Sequence, residues 1–313
     1  MWRTSMNRKY TYIIMSFIAC LLLVTPFAIS TQKAKKQSRL PIIDMHGHAM
    51  FFKAPKDFYG NEAGGSAEEV LEASIEQYRK YNVVKAVISG TPEMVEMWKS
   101  QDEENRFIRG IFMVTPSDYG MTPERFEEMV KNGKVEVLGE LVPMVSGQTI
   151  CDPEWQPYLK ICEKYDIPCS VHTGQTGANY HRNFPKIRLA LGDPYLIEDM
   201  LKKYPKLRVY IAHAGFEWYD HAATLMHCYP NLYTDLGSCL WWHPRVKRFA
   251  KLFLVQAQEG KFLDRVMFGT DAYVYPHAIG MSIEYLSNLD FLSEKDKRDI
   301  LYNNATRFLK LKE

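Results

Sequence analysis

The chain predicts an α/β protein folded as one (β/α)8 TIM barrel. Three observations carry that prediction. Short apolar runs alternate with helical stretches from residue 40 onward, and alternation of this kind implies parallel strands joined by crossovers. The runs number eight, in a length that suits a closed barrel better than an open sheet. The turn after the first run is His46-Gly47-His48, where an open doubly wound sheet would carry a glycine-rich phosphate turn.

The elements follow in order. The first strand covers 42–48, with Ile42 and Ile43 as its buried start. Ser66 and Glu69 form a capping box ahead of Val70, Leu71, Ser74, Ile75 and Tyr78 at helical spacing. Strand two is 83–89, followed by a short helix over 93–99 and strand three over 107–114. Thr122-Pro123 starts a helix that Gly133 ends, the threonine capping and the proline entering the first turn. Strand four covers 135–142. Asp152-Pro153 starts the next helix, to Tyr165, and strand five covers 167–172. Asp193-Pro194 opens another helix, closed by Pro205. Strand six is 207–213, a helix covers 216–228, and strand seven is 232–236. A helix over 244–258 stops at Gly260, strand eight covers 265–271, and the remainder from 282 is helical with a break near Ser293.

Residues 1–30 read as a signal peptide or signal anchor. Arg3, Arg8 and Lys9 precede an apolar run, and Ala28-Ile29-Ser30 offers a cleavage site. Residues 31–39 are a basic linker, and 40–313 form the barrel. The expected location is therefore outside the cytoplasm, or at a membrane held only through the N-terminal segment. The five cysteines beyond Cys20 are odd in number and lack a pairing pattern, so they read as mostly buried thiols. Net charge is +2, with much of the excess before residue 40, which argues against nucleic acid as a partner.

The polar residues at strand ends are the functional signal. His46 and His48 are two apart on one strand and so share a face. Glu140 lies late in strand four, His172 ends strand five, His213 ends strand six and Asp271 ends strand eight. In a barrel these ends converge on one mouth, where active sites are built. Singly, each could be a core or capping residue. Jointly, imidazoles and carboxylates at one pole suit a divalent metal with open positions, zinc being favoured.

With those residues in place, the chain resembles the amidohydrolase superfamily over about residues 40–312. The likeness is strongest to its amidohydrolase-2 branch, which includes relatives of aminocarboxymuconate semialdehyde decarboxylase. His46-Gly47-His48, the later His172, His213 and Asp271, and the tail from Ile300 to Phe308 carry the likeness. Many binuclear members have a carboxylated lysine on strand four. Glu140 stands there instead, as in TatD-type nucleases, where a glutamate bridges two metals. The resemblance implies one metal on His46, His48, His172 and Asp271 with Glu140 beside it. A second ion, if bound, would use His213 and Glu140. It also implies a homo-oligomer.

In such a site Asp271 passes a proton from water to the leaving group, and His213 acts as acid–base or stabilises an oxyanion. Loop residues Tyr180, His181, Arg182, Trp241, His243 and Tyr273 are the expected substrate contacts, with Phe51, Phe52, Trp242 and His277 nearby. Arg182 and Arg188 could meet a carboxylate. The expected activity is hydrolysis of an amide, lactone or ester in a small molecule. Non-oxidative decarboxylation is the alternative, and a non-catalytic exported binding barrel is the reading from another class.

Overall fold

The computed structural model describes residues 39–312. The expected signal or anchor segment and the linker up to Ser38 lie outside the described residues. Eight parallel strands form one sheet in sequence order: β1 (Ile42–Ala49), β2 (Val83–Gly90), β3 (Phe107–Met113), β4 (Val137–Leu141), β5 (Cys169–His172), β6 (Val209–Ala212), β7 (Leu232–Asp235) and β8 (Val266–Met267). The sheet closes on itself through the chain just beyond β8. Met45 N–H donates to the Phe268 carbonyl at 2.9 Å, and Asp271 N–H donates to the His46 carbonyl at 2.6 Å. The fold is thus the expected (β/α)8 barrel.

The principal helices are α1 (Ala67–Tyr81), α2 (Pro92–Ser100), α3 (Pro123–Lys131), α4 (Gln156–Tyr165), α5 (Tyr180–Asn183), α6 (Glu198–Lys203), α7 (Tyr219–Cys228), α8 (Pro244–Glu259), α9 (His277–Ser287), α10 (Glu294–Arg298) and α11 (Asn304–Leu309). Their starts follow the local chemistry. Ser66, Thr91 and Thr122 each accept the backbone N–H three residues on, with proline entering the first turn in the last two cases. The α1 box is redirected, because Glu69 accepts from Gly65 rather than from Ser66.

Several boundaries differ from the sequence reading, three of them most. β8 is two residues long instead of seven, because Phe268 N–H turns to the Ile300 carbonyl and Thr270 N–H to the Asp44 carboxylate. α7 starts at Tyr219 rather than 216, because Ala214, Gly215 and Glu217 take left-handed backbone that no helix contains. α9 begins at His277, five residues earlier than expected.

One irregularity positions the site. Asp44 pairs with Ala86 but Gly47 pairs with Ile88, so β1 spends one extra residue there. Strict alternation would send His46 away from the side of Ile43 and Met45. The bulge resets the phase. Ile43 and Met45 join the barrel-floor cluster with Val87, Ile108, Val137 and Met267, while His46 and His48 still face inward above them. Asp44 holds the bulge: its carboxylate accepts from His46 N–H at 3.0 Å and Thr270 N–H at 2.9 Å. Phe308 of α11 packs on Tyr210 and Tyr233 in the same cluster, closing the opposite pole.

Candidate metal centre

The strand ends bring His46, His48, Glu140, His172, His213 and Asp271 to one pole. All are buried except His172, which is partly so. His46 Nε2 lies 3.2 Å from His48 Nε2 and 3.5 Å from Asp271 Oδ1, and His48 Nε2 lies 2.9 Å from the same oxygen. Glu140 Oε2 is 3.6 Å from both of those imidazole nitrogens. Its other oxygen, Oε1, lies 2.8 Å from His172 Nδ1 and 3.0 Å from His213 Nε2. His213 and Asp271 sit where backbone φ is positive, at 64° and 52°. Such backbone is costly for residues with a Cβ and is typical of functional sites.

Outer partners fix these ligands. His46 Nδ1 donates to Asp235 Oδ2 at 2.9 Å, and Asp235 Oδ1 accepts from the backbone of His213 and Gly237. Gly237 has to be glycine, since an added Cβ would come within 2.6 Å of His46 Nδ1. Asp271 accepts a hydrogen bond from Ser238, and His48 Nδ1 lies 3.1 Å from Ser89 Oγ.

The electrostatics suit a cation. Glu140 Oε2 and Asp271 Oδ1 are buried with no hydrogen-bond partner among the described residues, a costly state for carboxylate oxygens. Burial pulls the His46 imidazole down, but Asp235, Asp271 and Glu140 outweigh it and hold it well above its usual value. Burial likewise raises Glu140 and Asp271, yet the imidazoles, His46 foremost, bring both carboxyls below theirs. A divalent ion would satisfy the orphan oxygens and replace the protons on the rings, so this donor set fits a metal.

The expected substrate contacts divide. Tyr273 stacks on His48 with ring centroids 3.9 Å apart, and Phe52 packs edge-on against Tyr273. Tyr180 opens α5 and stacks on Phe184, and burial with the Glu140 and Asp271 carboxylates raises its phenol. His181 and Arg182 are exposed on α5, their side chains without a hydrogen bond or ion pair among the described residues. Trp241 is wholly buried, its Nε1–H donating to the Thr270 carbonyl, so its surface is used in packing. His243 packs against Phe58, and His277 pairs with Asp57 at 2.8 Å. Sequence reasoning missed Asp235 and Asp44. Asp235 is the carboxylate at the end of the seventh strand, so the rule that found the other five strands' residues applies to it directly. Phe112 on β3, edge-on to His48 at 6.0 Å, carried no comparable signal.

Fold and site together define a (β/α)8 barrel of the amidohydrolase type, with side chains at its mouth that could hold a metal. The family model described as Amidohydrolase (Amidohydro_2) matches residues 43–311, and the chain belongs to this family. Its members include metal-dependent decarboxylases and hydrolases, which supports an enzymatic role here. The protein fluG of Emericella nidulans is 26% identical over 162 residues. That match spans 47% of this chain but only 18% of fluG, so the chain corresponds to a small part of that relative. Among solved structures, an uncharacterised TIM-barrel protein from Bordetella bronchiseptica is 20% identical with a TM-score of 0.63, covering 87% of this chain and 99% of its own. A probable 2-pyrone-4,6-dicarboxylic acid hydrolase from Acinetobacter baumannii is 16% identical with a TM-score of 0.58, covering 87% and 100%. A manganese-bound 5-carboxyvanillate decarboxylase from Novosphingobium aromaticivorans is 14% identical with a TM-score of 0.58, covering 88% and 98%. At these identities the three share the fold.

Proposed function

We propose that this chain is a metal-dependent hydrolase acting on an amide, lactone or ester bond of a small molecule. The observation that carries its metal dependence, which hydrolysis and decarboxylation share, is the pair of unpartnered buried carboxylate oxygens, Asp271 Oδ1 and Glu140 Oε2, facing His46 and His48. His46, His48, Asp271 and Glu140 would hold a divalent cation, which would supply Lewis-acid polarisation and a lowered pKa of water. Asp271 takes the proton of the attacking water and delivers it to the leaving group, while Ser238 holds its second oxygen in place. His213, anchored to the Gly237 carbonyl, offers Nε2 to the developing oxyanion or to the leaving group's proton. Tyr273 and Phe52 give the substrate an aromatic wall.

Decarboxylation is the second reading. The 2,6-dihydroxybenzoate and 5-carboxyvanillate decarboxylases share this fold over 88% of the chain, and the same residues could perform that chemistry. There the carbon–carboxylate bond breaks, carbon dioxide leaves, and Asp271 or His213 protonates the carbon. The deciding experiment screens metal-reconstituted protein against lactones, amides, esters and aromatic acids, following acid release and carbon dioxide separately. Hydrolysis without carbon dioxide supports the first reading, carbon dioxide release the second, and inactivity towards all four classes counts against both. We place the enzyme outside the cytoplasm, anchored or free, on the strength of the N-terminal sequence. N-terminal sequencing of the mature chain tests that.

A further inference from the structure

We propose that the aromatic and basic rim formed by residues 51–62 and the start of α8 docks on an anionic lipid surface. This goes beyond the reaction proposed above and does not depend on it.

The charge comes from α8. From Leu236 to Gln258 the chain carries no acid, and Arg245, Lys247, Arg248 and Lys251 fall inside that stretch. Val246, Ala250, Phe253 and Leu254 are buried on the inner face of the helix, while Arg245, Arg248, Lys251 and Leu252 are exposed on the outer one. A basic outer face beside an apolar inner one suits a negatively charged surface. Acids that reach the rim from other elements are already paired, Glu217 with Arg245, Glu62 with Lys56 and Asp57 with His277. Arg248, Lys251 and Lys53 have no ion pair among the described residues.

Aromatic rings stand among those cations. The loop after β1 packs onto the entry to α8: the Phe58 and His243 ring centroids are 5.6 Å apart, and Lys247 Nζ lies 4.9 Å from the Tyr59 ring. Phe58 is nevertheless 64% exposed, and Trp242, next to His243, is 38% exposed. Phe52, Tyr59 and Leu252 are exposed too. Large apolar side chains gathered in water mark a surface that something covers. Rings among unpaired cations have the composition of a membrane–water interface, where aromatic groups settle at headgroup level and basic groups meet lipid phosphates. Anionic lipid balances the charge. A second copy does not, because a two-fold contact would set these cations against one another. The apolar N-terminal run, read from sequence as a signal or anchor, would bring the chain to a bilayer. The rim also adjoins the mouth, since Phe52 packs edge-on to Tyr273 and Tyr273 stacks on His48.

The test adds vesicles to the full chain and follows hydrogen–deuterium exchange. One set is phosphatidylcholine alone, and the other is phosphatidylcholine mixed with phosphatidylglycerol. Peptides within 51–62 and 242–252 should exchange several-fold more slowly with the anionic set, and raised salt should weaken the protection. A retained N-terminal segment would hold the chain to both sets alike, so it cannot produce the difference. Phe58→Ser with Trp242→Ser, and separately Arg248→Glu with Lys251→Glu, should each remove the protection. Lys160→Glu with Lys206→Glu, outside the rim, should keep it, and circular dichroism confirms which variants are folded. Equal exchange with the two sets, protection confined to other segments, or protection that survives in both folded rim variants overturns the proposal. Protection by soluble polyglutamate but not by anionic vesicles also overturns it, and assigns the rim to an acidic protein.

Discussion

The two ends of the barrel handle buried charge in opposite ways. At the N-terminal end and in the outer ring, acids meet permanent cations. Arg106 is buried, bonded to Asp102 and to the Val83 carbonyl, and Asp102 also accepts Phe107 N–H. Arg109 bridges Glu96 and Glu136. At the mouth, Glu140 and Asp271 pair only with imidazoles among the described residues, and each carries an oxygen without a hydrogen-bond partner there. The backbone follows the same division. Positive φ marks helix exits such as Asn82 and Asp166 at the floor, but His213, Ser238, Asp271 and Tyr273 at the mouth. An arginine neutralises a buried acid permanently. An imidazole leaves the choice between a proton and a metal open, which suits a site that must take up a cation.

Substitutions can sharpen that contrast. Asp271→Asn keeps a coordinating oxygen and removes the proton acceptor. Turnover should fall by about 10²–10⁴-fold, the usual value of general acid–base catalysis, with a much smaller loss of bound metal. Steady-state kinetics beside elemental analysis measures both. At the floor, Asp102→Ala removes one partner of Arg106, which keeps Glu104 and the Val83 carbonyl, and leaves the buried Phe107 N–H unpaired, so it should cost about 1–3 kcal/mol of stability in urea unfolding. Metal content per folded chain should not change, which separates the two regions.

Asp235→Asn tests the outer partner of His46. It should weaken metal binding by about 10–100-fold, as loss of such partners does elsewhere. Isothermal titration of the metal reads this, and an unchanged affinity would remove Asp235 from the account. The smallest effect belongs to Glu127, on α3, where Lys164 and Tyr165 of α4 donate to its carboxylate and lower its pKa to about 2. The folded value lies below the unfolded one, so its stabilisation is present above the ordinary carboxyl range. It is lost as pH falls from there through about 2. Glu127→Gln should therefore cost a little stability at neutral pH, less as pH falls towards 2 and none well below it, by thermal melts across that window.

The same comparison shows what could be read from sequence. Hydrophobic runs, threonine–proline and aspartate–proline starts, and eight alternations are local signals, and they set out the strands, the helices and the pole where the polar residues gather. The bulge at Asp44–Gly47 was not legible, because it depends on Asp44 reaching Thr270 across the barrel seam. The shortness of β8 has the same cause. Trp241 illustrates the converse: a tryptophan beside a loop looks like a lining residue, and only its bond to Thr270 shows it inside the packing. Glu140 faces His46 and His48 with one oxygen and His172 and His213 with the other, a division that no spacing in the sequence encodes.

The claim that the mouth is a metal site is tested most directly by anomalous diffraction. Crystals of the chain saturated with manganese, and separately with zinc, would be measured at each metal's absorption edge. The account predicts an anomalous peak bounded by His46 Nε2, His48 Nε2, Glu140 Oε2 and Asp271 Oδ1, at bonding distance of about 2.0–2.2 Å. A saturated crystal with no peak there, or with its strongest peak among other residues, would contradict it.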